Sequence, residues 1–337
     1  MKATPIDRDM TKESDILIKL PKDKTAMIAW SPDGKSLAIG KDDGTVSIIE
    51  MRKEKICQDS HTAAVSAMAW SHDGSTLASA GRDKSIMLWK NDRFEASLMG
   101  HKNVIYSLSW NPATSILASC SGDKTGIIWT DYETLTKLTG HKGAVTMIEW
   151  SPNGSTVATG SADKTVKLWS SKGETINTLE HKGALASLSW NPQQDDFLAT
   201  GSYDKTAQLW RNGKSVALLK GHRDRVFGIG WSKDGNYLAT SSGFKDGEIA
   251  IWDSNGDRVS SLDDHTSSVY HVRWSPTRNV IASASFDGTA RLWNLEGEIA
   301  VLRHPGPVFA AQWNKDGNLL ATAGMGIVAI RDVTKFS

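Results

Sequence analysis

Three residue types with triad chemistry recur at fixed intervals along this 337-residue chain. His61, His101, His141, His181, His222, His265 and His304 each stand nine residues before a tryptophan. Asp83, Asp123, Asp163, Asp204, Asp246 and Asp287 each stand six residues before another, at Trp89, Trp129, Trp169, Trp210, Trp252 and Trp293. Between them fall Ser79, Ser119, Thr159, Thr200, Thr240 and Ser283. A base, a hydroxyl and an orienting carboxylate are the parts of a nucleophilic triad. The repetition points the other way: a triad is used once, and six copies are scaffolding. Buried polar groups must be paired, and orphaning one costs roughly 1–3 kcal/mol, more than the roughly 0.5–1.5 kcal/mol that each bond nets. The sets are read as structural and the chain as no enzyme. His72 lies in an SHDG turn and His271 in a different repeat, which makes no zinc pattern. Phosphate-loop and GxSxG patterns are absent from the sequence. No metal or cofactor is expected.

The elements that carry these groups are set by the tryptophans. A first ladder holds Trp30, Trp70, Trp110, Trp150, Trp190, Trp231, Trp274 and Trp313, with steps of 39 to 43 residues. The six already named form a second ladder, 19 to 21 residues behind the first. A period near 40 marks a repeat architecture whose units share their cores. One unit, residues 131–170, reads as four short strands joined by turns. Ser151-Pro152-Asn153-Gly154 is a tight turn in which proline presets φ and glycine takes the positive-φ position. Four-stranded units in radial array make a β-propeller.

The GH pairs at 100–101, 140–141 and 221–222, with LASASFDGTARLW near the end, resemble the WD40 repeat family over about residues 16–333. That resemblance implies a network in which aspartate orients histidine, histidine meets the hydroxyl, and the hydroxyl meets the indole N–H. The ladder predicts an all-β, eight-bladed WD40 propeller. The last unit lacks a fourth strand after 326–332, and residues 16–20 are predicted to supply it, closing the ring and removing an open edge. Blade 1 has Ile49 where tryptophan is expected; blade 8 keeps His304 and Thr322, with Gly324 read in the aspartate position and Ile330 in that of tryptophan. The closure seam between them is expected to open first on heating.

The composition bounds the rest. Residues 1–15 read as a flexible arm, 16–333 as one domain and 334–337 as a tail. The net charge of +1 is not the electrostatic footprint of a dedicated nucleic-acid binder. Cys57 and Cys120 sit at unrelated repeat positions, which speaks against a disulfide and for a reducing compartment. No apolar run approaches the roughly 20 residues that cross a bilayer. An intracellular location, cytoplasmic or nuclear, is expected.

In WD propellers the GH turns and the aspartate-bearing turns share the top face. Two positions per blade look up around the channel mouth there: one four residues before the first-ladder tryptophan, the other just before the turn aspartate. Blades 5–8 fill them with Tyr203, Phe227, Tyr270, Phe286 and Phe309. Arg225 flanks Phe227, and a two-residue insertion in 241–248 adds Phe244 and Lys245. Aromatics with arginine are the usual makeup of binding hot spots. Tyr203, Arg225, Phe227, Lys245, Tyr270, Phe286 and Phe309 are therefore expected to bind a peptide or protein partner, one of several held in a complex. The chain is also similar to eight-bladed transducin beta-like corepressor proteins in ATGSYDK and ASASFDG. That implies a second reading, a subunit of a chromatin or other nucleic-acid-associated complex. A third, a propeller enzyme with a channel-mouth site, would need a non-repeating charged cluster, and Asp42 with Arg82 is the one neighbouring charged pair at these positions.

Overall fold

Thirty-two β-strands form eight four-stranded antiparallel sheets in the computed structural model, which describes residues 15–20, 24–50, 53–57, 59–243 and 246–336. Each sheet is one blade, with an inner strand ending on a first-ladder tryptophan, from Ala26–Trp30 in blade 1 to Val308–Trp313 in blade 8. Blade 4 shows why the sequence folds this way. Thr156–Ser161 is buried at five consecutive positions because neighbouring blades cover both of its faces. The outer strand Thr175–Glu180 is mostly exposed. In the turn between the two inner strands, Gly154 has φ +70°, and its N–H donates to the Ser151 carbonyl at 2.8 Å. A side chain there would meet the Asn111 amide of blade 3 at 2.4 Å, so glycine serves both the turn and the approach of the next blade.

No blade owns its core. One cluster joins Ala118, Cys120 and Ile128 of blade 3 to Ile148, Trp150 and Val157 of blade 4, and its counterparts repeat around the ring. First-ladder indoles stitch the blades below these clusters. Trp70 donates its N–H to the Ala29 carbonyl at 3.1 Å and Trp110 to Ala69 at 3.0 Å. Trp190, Trp231 and Trp313 do the same to Glu149, Ser189 and Arg273. Trp30 closes the girdle on Gln312 of blade 8 at 3.0 Å. The indole nitrogens of Trp150 and Trp274 are buried without a partner, so the girdle is interrupted before blades 4 and 7.

The predicted closure is present. Ile16–Lys19 pairs antiparallel with Ile327–Asp332, Ile16 opposite Ile330 and Lys19 opposite Ile327. The seam differs from expectation in one register. Leu320 lies opposite Arg331, just as Val157 lies opposite Trp169, so Arg331 and not Ile330 takes the tryptophan position. The turn of blade 8 is one residue shorter than that of blades 2 to 5 and 7 and drops the aspartate position altogether. Met325, whose N–H donates to the Pro307 carbonyl at 2.9 Å, stands where Tyr203 and Phe286 stand in blades 5 and 7. Residues 1–14 of the expected arm lie outside the described residues, while Asp15 is held by Arg331 at 3.7 Å. Phe336, in the expected tail, packs back against the cluster of blades 7 and 8.

Candidate functional site

The repeated polar sets assemble in blades 2 to 7. In blade 4, His141 Nδ1 lies 2.8 Å from Asp163 and Nε2 lies 2.8 Å from the Thr159 hydroxyl, which accepts the Trp169 indole N–H at 2.8 Å. Ser79, Ser119, Ser283, Thr200 and Thr240 sit in the same relation to their own histidine and indole. The carboxylate fixes the tautomer: Nδ1 donates to it, Nε2 accepts the hydroxyl proton, and the hydroxyl oxygen accepts from the indole. Burial holds the pKa of His61, His101, His141, His181 and His265 below the usual value, against the pull of the aspartates. Burial pushes the aspartates up, but hydrogen bonds from neighbouring hydroxyls, backbone N–H groups and the histidines outweigh it, and all six pKa values are lowered. Each hydroxyl residue is 0% exposed, so no substrate carbonyl reaches the would-be nucleophile.

Besides blade 1, with Ile49 in place of the tryptophan, three blades depart from this pattern. In blade 5, His181 Nδ1 stands 3.5 Å from Asp204 and makes no hydrogen bond. In blade 6 the insertion brings Glu248 within 3.5 Å of His222 Nδ1, beside Asp246 at 3.4 Å. These three groups lie close enough to share a cation, but Glu248 is already taken by Arg258 and by the Ser261 hydroxyl. In blade 8, Arg331 donates to the Thr322 hydroxyl at 3.0 Å in place of an indole, and Nδ1 of His304 is buried without a partner. Burial, with the Arg331 charge beside it, pushes the His304 pKa down to about 3.

The top face gathers the predicted aromatics into one continuous arc. Tyr203 packs edge-on against Phe227 with ring centroids 5.8 Å apart, and Phe227 lies 5.4 Å from Tyr270. Tyr270 in turn meets Phe286 at 6.3 Å and Phe309 at 5.7 Å, and those two rings are 6.5 Å apart. The Arg225 guanidinium lies over the Tyr203 ring at 4.7 Å. Tyr203 and Phe286 are 43% and 40% exposed, and the other three rings are half-buried against them.

A backbone device aims these rings. The inner strands of blades 2 to 8 carry a bulge, and the extra residue is the one four before the tryptophan, including Phe227, Tyr270 and Phe309. A bulge takes a side chain out of the ladder and re-aims it. Blade 1 has no bulge there, and Ala26 stays buried in the pairing.

Lys245 lies outside the described residues. The position given to it belongs to Gly243, whose N–H donates to the Arg225 carbonyl at 3.0 Å as that of Tyr203 donates to Ala184. The two-residue insertion follows this point, which displaced the count made back from Asp246. Sequence reasoning missed Met325, half-buried at the same position of blade 8. The Asp42 carboxylate is engaged by the backbone N–H of Thr25 at 3.1 Å.

These repeats define the class: an eight-bladed β-propeller of WD40 repeats. The profile of the WD domain, G-beta repeat, matches residues 173–211, 213–253 and 256–294, and that of the WDR19 first beta-propeller matches 26–188. Each matched repeat starts near an outer strand of one blade and ends on the third strand of the next, so successive blades interlock through the chain.

Among individual proteins, the mouse (Mus musculus) F-box-like/WD repeat-containing protein TBL1X is 29% identical over 127 residues, and human (Homo sapiens) TBL1Y is 28% identical over the same length. Each match takes in 33% of this chain and 24% of the relative, about a quarter of the relative's length. The crystal structure of the computationally designed Ika8 protein superposes with a TM-score of 0.80 over 93% of this chain and 97% of that one. At 22% identity this likeness shows the fold alone.

Proposed function

We propose that this propeller is a non-catalytic scaffold that takes a peptide or protein partner across the top face of blades 5 to 8. The observation that carries this is the five-ring arc from Tyr203 to Phe309, continuous and in part open to solvent. A run of apolar rings on a soluble surface is a partner-binding feature. Arg225, stacked on Tyr203, adds a cation at one end for an acidic residue of the partner. Lys245, outside the described residues, belongs to the same proposal. The sealed hydroxyls of the six polar sets support the non-catalytic part of the reading.

The test is the variant Phe227→Ala/Tyr270→Ala/Phe309→Ala. The three residues are bulge positions outside the strand pairing, so the variant is expected to keep the wild-type circular dichroism spectrum and to lose the partners that wild type captures from cell extract. Undiminished capture by a folded variant would overturn the assignment of this face. The similarity to the TBL1X and TBL1Y stretch favours a second reading, a subunit of a nucleic-acid-associated complex. It predicts co-purification with chromatin that survives nuclease treatment.

A further inference from the structure

We infer that the lower mouth of the central channel, between blades 7, 8 and 1, is a binding site for a small planar monocarboxylate held by Arg273. A cavity of about 480 Å³ opens there, walled by Trp30, Trp274 and Trp313, with Gln312, Lys315 and Arg273 among its polar residues. The ten lining residues include two cations and no acid. Its volume is that of a small-ligand site, and its lining is divided evenly between apolar rings, three tryptophans and two prolines, and polar groups that can fix orientation. It lies among the turns that follow the first-ladder tryptophans, at the opposite end of the inner strands from the aromatic arc.

Arg273 is what selects the ligand. Its Nη1 donates to the carbonyls of Ile229 at 2.6 Å and Val272 at 3.1 Å, which fixes the plane of the guanidinium. The edge formed by Nε–H and Nη2–H has no acceptor among the described residues. That edge is the fork that matches the two oxygens of a carboxylate. Arg273 is exposed to solvent, so this edge is open to a ligand with the matching pair of oxygens.

Glu149, on the inner strand of blade 4, does not fill this role. Its charge and that of Arg273 act on one another, but the two make no ion pair within 4.0 Å. Burial pushes the Glu149 pKa up to about 7, so it adds partial negative charge at the equivalent strand position of blade 4. A dianion such as phosphate meets that charge, and a monoanion meets less of it. The walls set the shape. Trp30 and Trp313 are held by indole N–H bonds to Gln312 and Arg273, and their fixed rings favour a flat apolar body behind the carboxylate.

Benzoate is the probe, with benzamide as its neutral counterpart and inorganic phosphate as a second anion. Titration is followed by calorimetry and by indole N–H resonances of ¹⁵N-labelled protein. Benzoate is expected to bind saturably and to shift the Trp30 and Trp313 indoles, and benzamide and phosphate to bind at least about 10-fold more weakly, the scale of one charge-assisted hydrogen-bonded pair. Arg273→Gln should cut benzoate affinity by about 10-fold or more, with Arg273→Lys between it and wild type. Lys315→Met, at an exposed rim position, should weaken binding a few-fold and less so at high salt. Equal binding of benzamide and benzoate, no saturable benzoate binding, or full benzoate affinity in a folded Arg273→Gln protein would each overturn the site. If Arg273→Gln fails to fold, the wild-type preference for benzoate over benzamide and the Lys315→Met titration decide. None of these readouts involves the top face, so failure here leaves the scaffold reading intact.

Discussion

Replacing Thr159 by valine removes one hydroxyl and nothing else of comparable size. In the native protein that hydroxyl accepts the Trp169 indole N–H at 2.8 Å and meets His141 Nε2 at 2.8 Å. Thr159 is 0% exposed and Trp169 2% exposed, so water cannot replace what is lost. Two buried polar groups are orphaned, each at roughly 1–3 kcal/mol, so the expected loss is about 2–6 kcal/mol. Thr159→Ser is the control, because serine fills the same role at Ser79, Ser119 and Ser283. It keeps the hydroxyl and gives up one methyl, at about 0.5–1.5 kcal/mol. Both variants are measured by urea unfolding, followed in parallel by tryptophan fluorescence and far-UV circular dichroism to check that the transitions coincide. A valine variant within about 1 kcal/mol of wild type, or a serine variant that loses as much as valine, would refute the claim that the hydroxyl anchors the blade.

Two further predictions concern acid and heat. In the unfolded chain, histidines take up protons as pH falls through about 6.5, while in the fold burial resists this, most strongly at His271 and His304, each pushed down to about 3. The unfolded state then binds more protons, so stability must fall as pH drops below about 6.5, by up to about 1.4 kcal/mol per pH unit for each resisting histidine. Protonation of the aspartates, whose folded pKa values are depressed, adds a second loss below about pH 4. Urea midpoints that stay flat from pH 7.5 to 5 would contradict this. On heating, amides of Ile16–Lys19 and Ile327–Asp332 should exchange before those of blades 3 to 5, because the seam lacks a complete polar set and its short strand is not joined to Asp332 by a turn. Earlier exchange in blades 3 to 5 would count against it.

What could be read from the sequence is what repeats. The tryptophan ladders carry the blade count and the ring closure, and the nine- and six-residue offsets carry the polar sets, because one local geometry recurs often enough to fix its own register. The aromatic positions of blades 5, 7 and 8 followed from the same count. Departures came where a single blade changed length. One deleted residue in blade 8 moved Arg331 into the indole position and brought up Met325, and two added residues in blade 6 shifted the count from Gly243 to Lys245. The indole links between neighbouring blades recur 40 to 42 residues apart, but two other contacts across blades left no periodic trace. The Trp30 bond to Gln312 spans 282 residues, and Arg273 reaches the carbonyl of Ile229, 44 residues earlier. Neither spacing repeats, so only the folded ring reveals them.

The two unbonded indoles give the ring a grain. The indole link is missing before blades 4 and 7, at Trp150 and Trp274, and other bonds cross those joints: the Trp150 backbone N–H donates to the Ser109 hydroxyl at 3.2 Å, and Arg273 donates to the Ile229 carbonyl at 2.6 Å. The contact between Phe227 of blade 6 and Tyr270 of blade 7 straddles one of these joints. A guest lying over both rings would brace that joint from above, coupling occupancy of one face to the shape of the other.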